Sequence, residues 1–127
     1  MNKRLLLQAT CAAAAALFLP CVGHAQDNWP AKPIRLVVPF PPGGGTDIVA
    51  RALGQKLSER LKQPVVIDNK PGASTIIGTD AVAKAPADGY TLLLSGSTSY
   101  SGNPALRGKL PYDPLQDLAP IAIVART

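Results

Sequence analysis

The feature that most limits what this chain can fold into is a junction. An apolar run, Ile34-Arg35-Leu36-Val37-Val38, enters Pro39-Phe40-Pro41-Pro42-Gly43-Gly44-Gly45-Thr46-Asp47, and a stretch with helical periodicity leaves it. The run reads as a strand and the stretch as a helix. A glycine-rich turn between them leaves backbone N–H groups unpaired at the helix start, where aligned peptide dipoles add partial positive charge. Such a place can hold a carboxylate or a phosphate.

The nucleotide motifs do not fit. A P-loop ends in Gly-Lys-Ser/Thr, whereas Gly45 is followed by Thr46 and Asp47. A dinucleotide fingerprint begun at Gly43 would need its third glycine where Ile48 stands. An acidic Asp47 would also repel a multiply charged phosphate unless it turned away. A small carboxylate is therefore the favoured ligand. The residues alone leave a second reading open: a tight turn with Asp47 as a plain helix cap.

Alternation of strand and helix continues along the chain. Strands are expected at residues 34–38, 65–67, 90–94 and 121–125. A first helix is expected from Thr46 to about Lys62, with Val49, Leu53, Leu57 and Leu61 as its apolar stripe and Pro64 as its stop. A second should run from Ser74 or Thr75 to Lys84, and a short one should start at Pro104. Asp88-Gly89 reads as a turn, and Trp29 and Tyr112 as packing groups. Strands that are continuously Val/Ile/Leu are buried on both faces, so the fold class is α/β, a parallel sheet flanked by helices. In such a sheet ligands sit beyond the carboxyl ends of the strands. Three polar loops meet that description, at residues 40–46, 69–75 and 95–103. They offer neutral donors and helix starts, and no nucleophile paired with a base. Lys70 is a candidate for long-range attraction of an anion.

The first 25 residues read as a cleavable secretory signal. Lys3 and Arg4 precede an alanine-rich apolar core, and Gly23-His24-Ala25 supplies small residues at the cleavage positions, with Gln26 as the expected new N-terminus. Both cysteines, Cys11 and Cys21, and the lone histidine, His24, would leave with it. The remainder would lack disulfides, thiol chemistry and histidine-based triads or zinc sites. Loss of Lys3 and Arg4 lowers the formal charge from +5 to +3, and the remaining basic residues form no run, so nucleic-acid binding is not indicated.

With these residues in view, the chain closely resembles the Bug-type solute-binding receptors of tripartite tricarboxylate transporters. The likeness is carried by Pro33 through Asp47, by Gln63-Pro64-Val65-Val66-Ile67-Asp68-Asn69-Lys70-Pro71-Gly72-Ala73, and by Val82 through Leu93. It recurs at Asn103-Pro104 and at Leu110-Pro111-Tyr112-Asp113-Pro114. The resemblance implies a periplasmic protein of two lobes that closes around a small organic carboxylate and hands it to membrane transporter subunits. It implies no enzyme activity, cofactor or metal. Contacts from lobe one would come from Phe40, Gly43, Gly44, Gly45, Thr46 and Asp47, and from Ser95, Gly96, Ser97, Thr98 and Ser99. Gly44 is expected to need a positive φ. Where the family often carries Gly-Gly-Asn, this chain has Ser74-Thr75-Ile76. Family members are also much longer, so residues 26–127 are expected to hold only the first part of lobe one. Two alternatives stand beside this reading: a non-functional product of a truncated gene, and an enzyme acting on a carboxylate.

Overall fold

A computed structural model describes residues 29–126; the expected signal segment, with Cys11, Cys21 and His24, lies outside the described residues. Six regular elements follow in order: β1 (Ile34–Val38), α1 (Gly45–Leu61), β2 (Val65–Asn69), α2 (Ile76–Ala83), β3 (Thr91–Leu93) and α3 (Asn103–Leu106). The sheet order is β2-β1-β3, and both pairings are parallel. Ile34 faces Val65 and Val38 faces Asn69 on one side of β1, while Arg35 to Val37 face Thr91 to Leu93 on the other.

β1 is central because its residues suit burial on both faces. Ile34, Leu36, Val37 and Val38 are almost fully buried, and only Arg35 reaches solvent. Ladder bonds extend past β3 at each end, from Arg35 N to the Tyr90 carbonyl (2.8 Å) and from Leu94 N to the Val37 carbonyl (2.9 Å). Leu36, Val38 and Ala50 form the core, with Phe40, Val65, Ile67, Leu92 and Leu94 packed on it.

α1 approaches the sheet through small residues. Its most buried line is Asp47, Ala50 and Gly54, while Val49, Leu53, Leu57 and Leu61 are half-buried beside it. A Cβ on Gly54 would lie 3.0 Å from Ile67 Cδ1, so a bare backbone lets the helix sit low over β2. Lys62 ends the helix in a left-handed conformation (φ 56°), and Ser58 Oγ then accepts from Val65 N as β2 begins. Asp88 and Gly89 form the expected turn, with Tyr90 N donating to Asp88 Oδ1 at 3.0 Å.

Two expectations fail. Residues 121–125 form no strand: the segment is irregular, unpaired and exposed, with Ile121 80 % and Ile123 74 % accessible. An apolar run encodes a tendency to be buried, not the identity of a ladder partner, and no strand of this sheet pairs with it. Residues 95–103 are not an open loop either. Thr98–Gly102 forms a wide π-type turn that runs directly into α3 at Asn103. Serines and threonines tolerate such a turn because their hydroxyls serve the loosened carbonyls, as Ser101 Oγ does for Ser97 (3.1 Å).

Candidate functional site

Parallel strands deliver their following segments to one edge of the sheet, so the three polar segments rise side by side after β1, β2 and β3. The first is the glycine-rich loop. Gly44, in extended conformation (φ −77°, ψ 166°), is the N-cap of α1. The residue with positive φ is Gly43 (φ 83°), not Gly44. Asp47 is not the cap; it is the third residue of the helix, and its side chain is 2 % exposed. Its Oδ2 accepts from Gly43 N and from Arg51 Nε, both at 2.8 Å, and its Oδ1 accepts from Asn69 Nδ2 at 3.0 Å.

These partners hold the Asp47 carboxyl down at about 2, from an ordinary 3.8: the Arg51 hydrogen bond contributes most, then Gly43 N, then Asn69. The acid therefore stays ionised and faces its own cation. Its charge is spent inside the loop and does not confront an incoming anion. Among the described residues, the amides of Gly44, Gly45 and Thr46 donate to no protein group. Gly44 and Gly45 are exposed, and neither Gly43 nor Gly45 has any atom within 4 Å of where a Cβ would stand. The result is an open helix start with unspent donors and local charge balanced.

Asn69 ends β2 and ties this loop to its neighbour, since the same Nδ2 that meets Asp47 also donates to the Phe40 carbonyl at 3.1 Å. Phe40 itself is half-buried against the core. Lys70 pairs with Asp68 at 3.6 Å rather than standing free.

The second and third segments are joined by a buried hydroxyl cluster. Ser99 is fully buried; its Oγ meets Thr75 Oγ1 at 2.8 Å, Thr79 Oγ1 at 3.0 Å and Ser95 Oγ at 2.6 Å. Tyr112, also buried, donates to the Ser99 carbonyl at 3.0 Å. Gly96, Ser97 and Thr98 are exposed on the outer side. The two expected contact segments thus share one sheet edge, but no hydrogen bond among the described residues joins residues 43–47 directly to residues 95–99. A groove of about 1310 Å³ between β3 and residues 115–125 reaches Ser95 to Ser97 and includes none of Gly43 to Asp47.

Sequence reasoning placed Asn69, Thr75 and Asn103 within the polar loops of this edge but gave them no role there, and it missed Arg51 and Thr79. Arg51 was legible in principle, because it stands four residues after Asp47 on the same helix. Asn69, Thr75, Thr79 and Asn103 act across 20 to 29 residues of chain, and no local pattern signals that.

A parallel sheet with its polar segments gathered on the carboxyl edge is the architecture of a periplasmic-binding-protein lobe, here in part. The fold matches solved structures of that class. A periplasmic transporter superposes with a TM-score of 0.67 at 48% identity, over 69% of this chain and 30% of that one. MatC from Rhodopseudomonas palustris with bound malate gives 0.67 at 37% identity, over 70% and 30%. An R. palustris protein with adipate gives 0.66 at 42% identity, over 68% and 29%. Residues 49–127 match the family described as the tripartite tricarboxylate transporter family receptor. Among curated relatives, protein BugT of Bordetella pertussis is 47% identical over 117 residues, which is 88% of this chain and 36% of BugT. A protein from the tcbD-tcbE intergenic region of Pseudomonas sp. strain P51 is 44% identical over 99 residues, 78% of this chain and 29% of that protein. The chain belongs to the tripartite tricarboxylate transporter receptor family, to which the Bug proteins also belong. It spans about a third of the length of these relatives.

Proposed function

We propose that this chain contributes part of lobe one of a periplasmic receptor for a small organic carboxylate, residues 26–127 being that part and residues 1–25 a cleaved signal. The observation that carries the reading is the open start of α1. The amides of Gly44, Gly45 and Thr46 are unspent in an exposed turn, while Asp47, the acid beside them, is buried and neutralised by Arg51. A carboxylate oxygen placed there receives backbone donors at the positive end of a helix of 17 residues. Relatives solved with adipate and with malate support an acid as the ligand. Phe40 and the exposed residues Gly96, Ser97 and Thr98 flank the same edge and contact the remainder of the acid, with Ser95 and Ser99 acting from behind. The chain acts as a receptor and not as an enzyme, and its membrane partner is a transporter of the tripartite type.

The test is amide-resolved NMR of the chain titrated with adipate, malate and, as a neutral control, adipamide. Expected are saturable shifts at Gly44, Gly45 and Thr46 with the acids and none with the diamide. Affinity should be weak, because one side of the ligand stays in water, where charge-assisted hydrogen bonds compete poorly. Shifts absent from these three amides, or equal with the diamide, overturn the reading.

A further inference from the structure

The segment after β2 holds an unusual backbone. Gly72 (φ 126°), Ala73 (φ 47°), Ser74 (φ 55°) and Thr75 (φ 76°) follow one another at positive φ. Three consecutive residues with a Cβ in this region each carry a steric cost, and a β-branched threonine carries the largest. Single residues visit this region; runs of them do not persist without outside support.

The support comes from the segment after β3. Asn103, the first residue of α3, is 3 % exposed and spends its Nδ2 group on this turn, donating to the Ser74 carbonyl at 2.7 Å and to Thr75 Oγ1 at 3.2 Å. One helical turn on, Arg107 Nη2 reaches Ser74 Oγ at 3.3 Å. Ser99 donates to Thr75 Oγ1 at 2.8 Å. Thr79 Oγ1 closes the circuit on the Thr75 carbonyl at 2.9 Å. Thr75 is thereby held at both its hydroxyl and its carbonyl, and Ser74 at its carbonyl and its hydroxyl.

We propose that Asn103 is a positioning residue, which with Ser99 locks the left-handed turn Ala73–Thr75 and so makes the segments after β2 and β3 one rigid wall of the ligand mouth. The role in binding rests on the acid-binding reading above; the lock itself does not. A wall assembled before the ligand arrives need not be ordered by it, so affinity depends on the lock even though Asn103 need not touch the acid.

The lock is tested by the sign of a substitution. Ser74→Gly removes a Cβ from a left-handed position at the cost of one weak exposed contact, and should raise the melting temperature by about 3 °C. In any ordinary backbone conformation the same change lowers it. Asn103→Ala should speed amide exchange at residues 73–79 by about tenfold or more relative to β1, reflecting local opening. A lower melting temperature for Ser74→Gly, or unchanged exchange in Asn103→Ala, overturns the lock. Positioning is then read well below melting by titrating adipate. Asn103→Ala should weaken binding about fivefold with the shifts still centred on Gly44 to Thr46. Equal affinity would reduce Asn103 to a purely structural residue and overturn its role in binding. Absence of acid-induced shifts in the unsubstituted chain would remove the binding reading and the positioning role together, while melting and exchange would still decide the lock.

Discussion

The loop after β1 and the turn after β2 lie side by side on one sheet edge and use their polar atoms in opposite ways. The first pairs its only charge internally and leaves three backbone amides facing water. The second spends its hydroxyls and carbonyls on neighbours and buries them, with Thr75 4 % and Thr79 0 % exposed. Both read as loops of turn-forming residues, Pro, Gly and Thr in the first and Asn, Pro, Gly, Ser and Thr in the second. Composition at the carboxyl end of a strand therefore does not distinguish a segment that leaves its donors open from one that spends them on its neighbours. A count of which donors are already spent does.

The comparison breaks most readily at Gly78, where α2 crosses under both segments. A Cβ there would stand 2.7 Å from Pro39 Cβ and 2.8 Å from the Lys70 carbonyl, and neither neighbour is a flexible chain end. Gly78→Ala should cost about 3 kcal/mol in urea unfolding, at the upper end for overpacking. A cost below about 1 kcal/mol would mean that α2 is free to slide and that the two segments are not held in register.

Next in size is Thr75→Val. The shape and the β-branch are kept, so the backbone cost is unchanged, but Ser99 and Asn103 lose their shared acceptor. About 2 kcal/mol of destabilisation is expected, with no change at Gly43 to Thr46 in the amide spectrum. Spectral changes spreading to those glycines would merge the two regions into one.

A smaller effect comes from acid, and of the two segments it belongs to the first; Asp88, whose carboxyl is also held low by Tyr90 N and Lys32, lies outside both. The folded value of Asp47, about 2, lies below its ordinary 3.8, so its contribution to stability is complete above about pH 4 and fades as pH falls toward 2. Melting followed from pH 6 to 2.5 should show this component, and Asp47→Asn should flatten it. An identical acid slope in the variant would assign the acid sensitivity to other carboxylates.

The smallest expected differences lie within the glycines themselves. Gly43→Ala forces a Cβ onto φ 83° and should cost about 1 kcal/mol. Gly45→Ala has open space and helical geometry, and should change stability by no more than about 0.5 kcal/mol while narrowing the approach to the amides. Equal costs at both positions would show that the loop is not held as described.

Much of the frame was legible in the sequence, and the physical reasons are specific. β1 announces itself because a strand buried on both faces is continuously apolar; β2 and β3 were legible from their apolar runs, although as outer strands they are only half-buried; and α1 is bounded by glycines before it and Pro64 after it. Residues 121–125 carry the same apolar signal yet form no strand, because pairing is a property of two segments and only one is visible in a local run. The acid of the first loop was legible as helix-start chemistry, but its inward turn depends on Asn69, 22 residues away. Ser99 differs from Ser97 in nothing the sequence shows; the π-type turn alone decides which of the two faces Thr75. Positive φ at Ala73, Ser74 and Thr75 was likewise hidden, since none of the three is glycine.

The ion pair between Asp47 and Arg51 has a thermodynamic corollary. A receptor that lacks an internal counter-charge must often take up or release a proton when an anion arrives, so its affinity follows the acidity of its surroundings. Here the acid of the loop titrates near 2, its partner is a guanidinium raised further by that acid, and the sequence has a single histidine, outside the described residues. Capture of a fully ionised acid at this helix start should be proton-neutral between about pH 5 and 8. Its calorimetric heat should then be the same in buffers of different ionisation enthalpy.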